Sequence, residues 1–214
     1  MDGVRLADRL AYGAGCVARR VGFLHDAYRP AGPACPIDPA LRFLRLAVAF
    51  VLPGGALRAP SALGVPYRQA WADWSYLAVG DYLVGPEGVA FVASIEPPKP
   101  MLVVMTNATV RLCRPAAPVL AGLNGYSAVL PTSERVLLEG FPVSLAMGGV
   151  EDRTRAGLAD DTKLPGFTVL MPALGEVRPG VADILRTESG ESFVVNGAVL
   201  VGGVWRLSLD QAVS

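Results

Sequence analysis

The chain has 214 residues with 19 basic and 19 acidic side chains, so its formal net charge is zero and no bulk charge draws it to a polyanion. Hydrophobic residues make up 52% and charged residues 18%, with a mean hydropathy of +0.41, which excludes a disordered chain. No apolar run reaches the roughly 18 residues of a bilayer span, because the longest candidate, Leu46 to Leu57, is cut by Pro53-Gly54-Gly55.

From Val4 to Leu24, Leu6, Leu10, Val17, Val21 and Leu24 recur near helical spacing, while Arg5, Asp8, Arg9, Arg19 and Arg20 lie mostly elsewhere. This predicts an amphipathic helix, weakened around Gly13 and Gly15. Its charges interrupt any secretory apolar segment, so no leader is expected. The single histidine, His25, is placed to cap the helix C-terminus. Tyr28 to Pro39 carries Pro30, Pro33, Pro36 and Pro39 and reads as an extended strap, able to pack on its own barrel or to reach a neighbouring subunit.

The rest reads as strand. Copy one of a repeated unit supplies Leu41 to Leu52, a hairpin of Tyr82 to Val84 and Ala90 to Ile95 across Pro86-Glu87-Gly88, and Met101 to Cys113. Copy two supplies Val136 to Met147, a hairpin of Ile184 to Thr187 and Ser192 to Asn196 across Glu188-Ser189-Gly190, and Gly203 to Leu209. One constant offset places Asp81 on Asp183, Leu83 on Leu185, Gly88 on Gly190, Phe91 on Phe193 and Val92 on Val194. The expected fold is therefore mainly β: two tandem, internally duplicated small β-barrel or sandwich domains with an N-terminal helix on a proline-rich strap. The expected boundaries are 1–40 for helix and strap, 41–114 for copy one, 115–125 for a linker and 126–214 for copy two.

The chemical signals are sparse. Cys16, Cys35 and Cys113 form no CxxC pair, and with one histidine they do not complete a zinc site. Gly125-Tyr126-Ser127-Ala128-Val129 fails the nucleophile elbow at its last position. The segment Gly148 to Gly166 interleaves Glu151, Asp152, Asp160 and Asp161 with Arg153, Arg155 and Lys163, which lacks EF-hand spacing and reads as a contact loop. No catalytic residue, metal or cofactor is expected.

Charge is segregated. Residues 1–70 hold nine Arg against four Asp, and the remainder holds ten basic against fifteen acidic residues. Opposite halves suit head-to-tail stacking of subunits. The predicted interface residues are Leu6, Leu10, Val17, Arg19 and Arg20 on the helix, and Arg153, Arg155, Asp160 and Asp161 on the charged loop.

The segment Val177 to Ala212, VRPGVADILRTESGESFVVNGAVLVGGVWRLSLDQA, carries an Asp-started hairpin, a Gly-bearing turn and a terminal strand. It resembles the barrel end of neck, tail-completion and tail-hub proteins of tailed bacteriophages. Copy one keeps the Gly80-Asp81 of that pattern, whereas Ala182 replaces the glycine in copy two. The resemblance implies a virion component without enzymatic activity, made in the host cytoplasm. It would form a homo-oligomeric ring, a trimer or hexamer, around the DNA channel. Other phage neck or tail proteins would be its partners, DNA would pass close by, and the ring would join components of different symmetry. A tandem repeat lets three chains present six similar domains. Two other classes remain open: a small cell-wall hydrolase acting through the acidic loop, and a glycan- or peptide-binding module built on Trp71, Trp74 and Tyr76.

Overall fold

The computed structural model describes residues 3–52, 66–115, 134–147, 166–175 and 177–211. Of the described residues, 56% are strand and 15% helix. A helix, α1 (Gly3–Val21), leads into β1 (Phe23–Tyr28), β2 (Arg42–Val51), β3 (Tyr67–Trp71), β4 (Tyr82–Gly85), β5 (Gly88–Ser94) and β6 (Met101–Met105). The second set is β7 (Ala108–Pro115), β8 (Glu134–Met147), β9 (Gly166–Pro172), β10 (Ile184–Thr187), β11 (Ser192–Val201) and β12 (Val204–Gln211).

Each set closes into a six-stranded antiparallel barrel. The first runs β1-β2-β3-β6-β5-β4 and returns to β1, and the second runs β7-β8-β9-β12-β11-β10 and returns to β7. The two topologies are the same strand for strand, so the duplication extends to the whole unit. Closure pairs strands that would otherwise present open edges. The domain edges differ from those expected. The first barrel begins at β1, inside the stretch assigned to helix and strap. The predicted strand Met101 to Cys113 is broken into β6 and β7, and β7 opens the second barrel.

The interiors differ in bulk. Ala27, Val48, Ala70, Leu83, Ala90, Val92 and Val103 pack in the first barrel, whereas Leu112, Leu138, Phe141, Leu185, Phe193, Leu207 and Leu209 pack in the second. A fully buried Leu or Phe contributes about 1.5–3 kcal/mol, so the second barrel holds the larger share of apolar stabilisation.

The helix packs through small residues. Ala11, Ala14 and Ala18 are buried, and a β-carbon on Gly15 would lie 2.9 Å from Cβ of Asp73. The helix ends at Gly22, whose N–H donates to the carbonyl of Ala18 at 2.8 Å and whose missing side chain leaves room for the carbonyl of Val48. Arg19 and Arg20 in the last turn complement the helix dipole. The predicted apolar face is thus rotated from the packed one: Leu6 and Val17 are exposed, and Leu10 is partly buried against the first barrel. Leu and Val outweigh Ala in hydrophobicity, but the small side chains allow the close approach.

His25 is not a helix cap. It lies on β1, fully buried, with Nδ1 3.0 Å from the Phe23 carbonyl and its ring edge-on to Phe50. The proline strap turns back onto its own chain, where the carbonyl of Pro33 accepts a hydrogen bond from the Glu139 N–H at 2.8 Å.

Candidate assembly surface

Two buried carboxylates organise the duplicated hairpins. Asp81 is forked by Arg29, with Nε on Oδ1 and Nη2 on Oδ2, both at 2.8 Å. Arg29 Nη2 also donates to the Tyr76 carbonyl at 3.1 Å, and the Ala78 N–H donates to Asp81 Oδ2 at 2.7 Å. In the second barrel Arg114 forks Asp183 at 2.7 and 2.9 Å, donates to the Arg178 carbonyl at 2.8 Å, and the Gly180 N–H donates to Asp183 Oδ2 at 2.7 Å. Hydrogen bonding to the carboxylate raises the pKa of each arginine, against the opposing effect of desolvation. Each fork ties the strand that opens a barrel to the loop before its hairpin.

The residue before each aspartate has positive φ: Gly80 at +95° and Ala182 at +71°. Ala182 is the one non-glycine residue with positive φ among the described residues.

Strand pairing carries each position of one barrel onto the other. Tyr28 pairs with Tyr82, Tyr82 with Phe91, and Phe91 with Val104, forming a row across four strands on the outer face of the first barrel. The counterpart row pairs Cys113 with Ile184, Ile184 with Val194, and Val194 with Asp210. Phe91 therefore corresponds to Val194, not to Phe193. The pair Val84 and Val89 encloses Gly85 to Gly88, whereas Arg186 and Ser192 enclose the longer stretch Thr187 to Glu191. That extra turn residue is held by the Glu191 N–H donating to Thr187 Oγ1 at 3.1 Å. Because strand side chains alternate between faces, the shift sends Phe193 into the barrel and leaves Val194 outside.

The first row has a use within the chain. Tyr28, Tyr82, Phe91 and Val104 are buried in the same apolar cluster as the core of the second barrel. The Tyr82 hydroxyl donates to the Pro142 carbonyl at 2.8 Å, and burial pushes the Tyr82 pKa well up. Beside this row, a β-carbon on Gly80 would lie 3.9 Å from Cβ of Pro172, and one on Gly203 would meet Val79. Among the described residues the counterpart face is partly open, with Val194 38% and Val181 71% exposed. Further exposed apolar side chains are Val199, Leu200 and Val201 at the end of β11, and Leu6, Tyr12, Val17, Val21, Phe23 and Leu24 near the N-terminus.

The predicted interface residues divide accordingly. Leu6, Val17, Arg19 and Arg20 are on the exposed side of α1, with Arg19 over the Tyr12 ring at 5.9 Å, while Leu10 faces inward. Arg153, Arg155, Asp160 and Asp161 lie outside the described residues. Of the aromatic residues in the binding-module reading, Trp74 is buried in a 3₁₀ turn and Tyr76 in the same turn is exposed. The counterpart row was not read from the sequence, because the longer turn hides it from any constant offset.

An open groove of about 480 Å³ between the barrels is lined by Ile37, Val89, Thr106, Asn107, Thr109 and Ser189, among others. Comparison with family models, curated proteins and solved structures gives no match.

Proposed function

We propose that the chain is a non-enzymatic structural protein that assembles with copies of itself into a ring, and that the ring belongs to the neck or tail hub of a tailed phage particle. The observation that carries the assembly part is the tandem pair of barrels with identical strand order and the same Arg–Asp fork, bearing apolar side chains on the outside at both ends of the chain. Two like units joined in one chain present twice the subunit symmetry, the geometry needed where rings of different symmetry meet. Exposed apolar side chains in a neutral chain suit surface covered by neighbouring subunits. The phage part rests on the resemblance of the Val177 to Ala212 hairpin and strand.

Quantitative peptide mass spectrometry of particles purified from the source strain, with the major capsid protein as internal standard, tests this reading. A stoichiometry of about three to twelve copies per particle, the range of closed symmetric rings, supports it. Absence from particles in which the capsid protein is abundant overturns it.

A further inference from the structure

The contact between the two barrels assigns a second, intermolecular use to its own geometry: we infer that the Ile184–Val194 face of one chain docks on the Leu24–Ala47 surface and the outer flank of α1 in a second copy, head to tail. This rests on the reading of the chain as self-assembling, not on the particle to which it belongs.

The argument starts from the internal contact. The first barrel presents the row Tyr28, Tyr82, Phe91, Val104 and the adjoining Val79–Gly80 loop. It stands on two places of the second barrel, Pro142 on β8 and Pro172 at the end of β9. The barrels share their pairing scheme, so both sides of this contact have counterparts. The presenting side recurs in the second barrel as Ile184, Val194 and the loop with Val181, and Val181 and Val194 are exposed.

The receiving side recurs in the first barrel. Thr109 pairs with Pro142 as Leu24 pairs with Ala47, so Ala47 takes the place of Pro142. Leu24 beside it is exposed. Ser144 pairs with Leu170 as Ala49 pairs with Trp71, which brings Asp73 to the place of Pro172. That second place is taken by α1, whose Gly15 lies against Asp73. The helix thus stands on the first barrel where the first barrel stands on the second. It leaves Val17 and Val21 outside, close in sequence to Leu24, as an apolar flank for the Val181 loop to meet.

Charge favours the same pairing. The segment through residue 70 has nine Arg against four Asp, and the remainder is acidic by fifteen to ten. Arg19, Arg20 and Arg45 are exposed on the receiving side, Arg45 at 3.6 Å from Asp26, and on the presenting side Asp210 pairs in register with Val194 beside the Arg186–Glu134 fork. Asp210 set against Arg19 and Arg20 favours the head-to-tail sense over like-face pairing of two copies.

The test is the mass of the full chain in solution, by light scattering during gel filtration and by native mass spectrometry. Wild type is expected as a multiple of 22.4 kDa. Val194→Arg places a cation against the basic surface and is expected to weaken self-association at least tenfold, a cost of about 1.4 kcal/mol or more. Leu24→Glu in the same chain is expected to restore it. Circular dichroism melts of each variant check that the barrels remain folded, and Val181→Arg supplies an independent second disruption. Wild type that is monomeric at about 100 µM, or an assembly unchanged in both arginine variants, overturns the inference. The two readings fail separately. Chain absent from particles but assembled in solution through Val194 leaves the docking in place, whereas particles that retain the Val194→Arg chain at full stoichiometry remove it.

Discussion

Asp183 does in the second barrel what Asp81 does in the first: each buried carboxylate takes both nitrogens of one arginine fork and one backbone N–H three residues back. A bidentate fork with a third donor satisfies most of the acceptor capacity of a carboxylate that is only 2% exposed. Asp81→Asn and Asp183→Asn each put an amide NH₂ against donors and are expected to cost about 1–3 kcal/mol. Urea unfolding checks this, and the two penalties are expected to agree within about 1 kcal/mol because the partners are the same.

Ala182→Gly is expected to stabilise the chain. Alanine at φ +71° carries the strain of the left-handed region, on the order of 1–2 kcal/mol. Glycine removes it but adds freedom to the unfolded chain, worth about 0.4–1 kcal/mol. The net gain of roughly 0.5–1 kcal/mol corresponds to a rise of about 1–4 °C in Tm by calorimetry. Gly80→Ala in the first barrel is expected to move Tm the other way.

Glu134 and Arg186 form a fork between β8 and β10, with Nη2 on Oε1 at 2.8 Å. Hydrogen bonding from Arg186 holds the Glu134 carboxyl below its ordinary value of 4.5. A depressed folded pKa gives stability that is present above the ordinary value and lost as pH falls through the folded one. Glu134→Gln is therefore expected to destabilise at pH 7 and to lose that deficit as pH falls below 4.5 and through the folded value. Urea midpoints of both proteins across this window check the sign.

Gly15→Val tests the seating of the helix. A side chain there meets the Asp73 backbone and Cβ at 2.9–3.4 Å, so α1 must lift from the turn holding Trp74. The expected outcome is faster amide exchange along α1 and changed tryptophan emission, while the second barrel keeps its protection, because the helix packs chiefly on β2, β3 and the Trp74 turn. Gly13→Val, at a position open to solvent, is the control.

The fold class was legible because the hairpins announce themselves: an aspartate, alternating apolar residues and a turn glycine, repeated. Gly88 at φ +114° and Gly190 at +90° are the positive-φ turn residues expected there. Further upstream of each hairpin, β2 and β8 also fall where apolar runs predict them. Other features were hidden for physical reasons. β1 is short and carries His25 and Asp26, so it reads as a helix end until closure of the barrel requires a sixth strand. The packed face of α1 is made of alanine and glycine, which weigh little in any hydrophobicity pattern but permit contact. The Arg–Asp forks span 52 and 69 positions, and no local spacing reveals such a pair. On the candidate surface, the exposure of Leu6, Val17, Arg19 and Arg20 follows from the helix orientation, whereas Ile184 and Val194 come into view only through strand register.

The longer turn between β10 and β11 has a consequence for how a duplicated protein diversifies. One added residue exchanges inside for outside along the strand that follows. It gave the second barrel an aromatic core residue in Phe193 and gave its outer wall a valine where the first barrel has a buried phenylalanine. No apolar residue had to be invented or lost. The two halves could remain alike as text while ceasing to be alike as surfaces, with one wall committed to its sister barrel and the other released for a different contact.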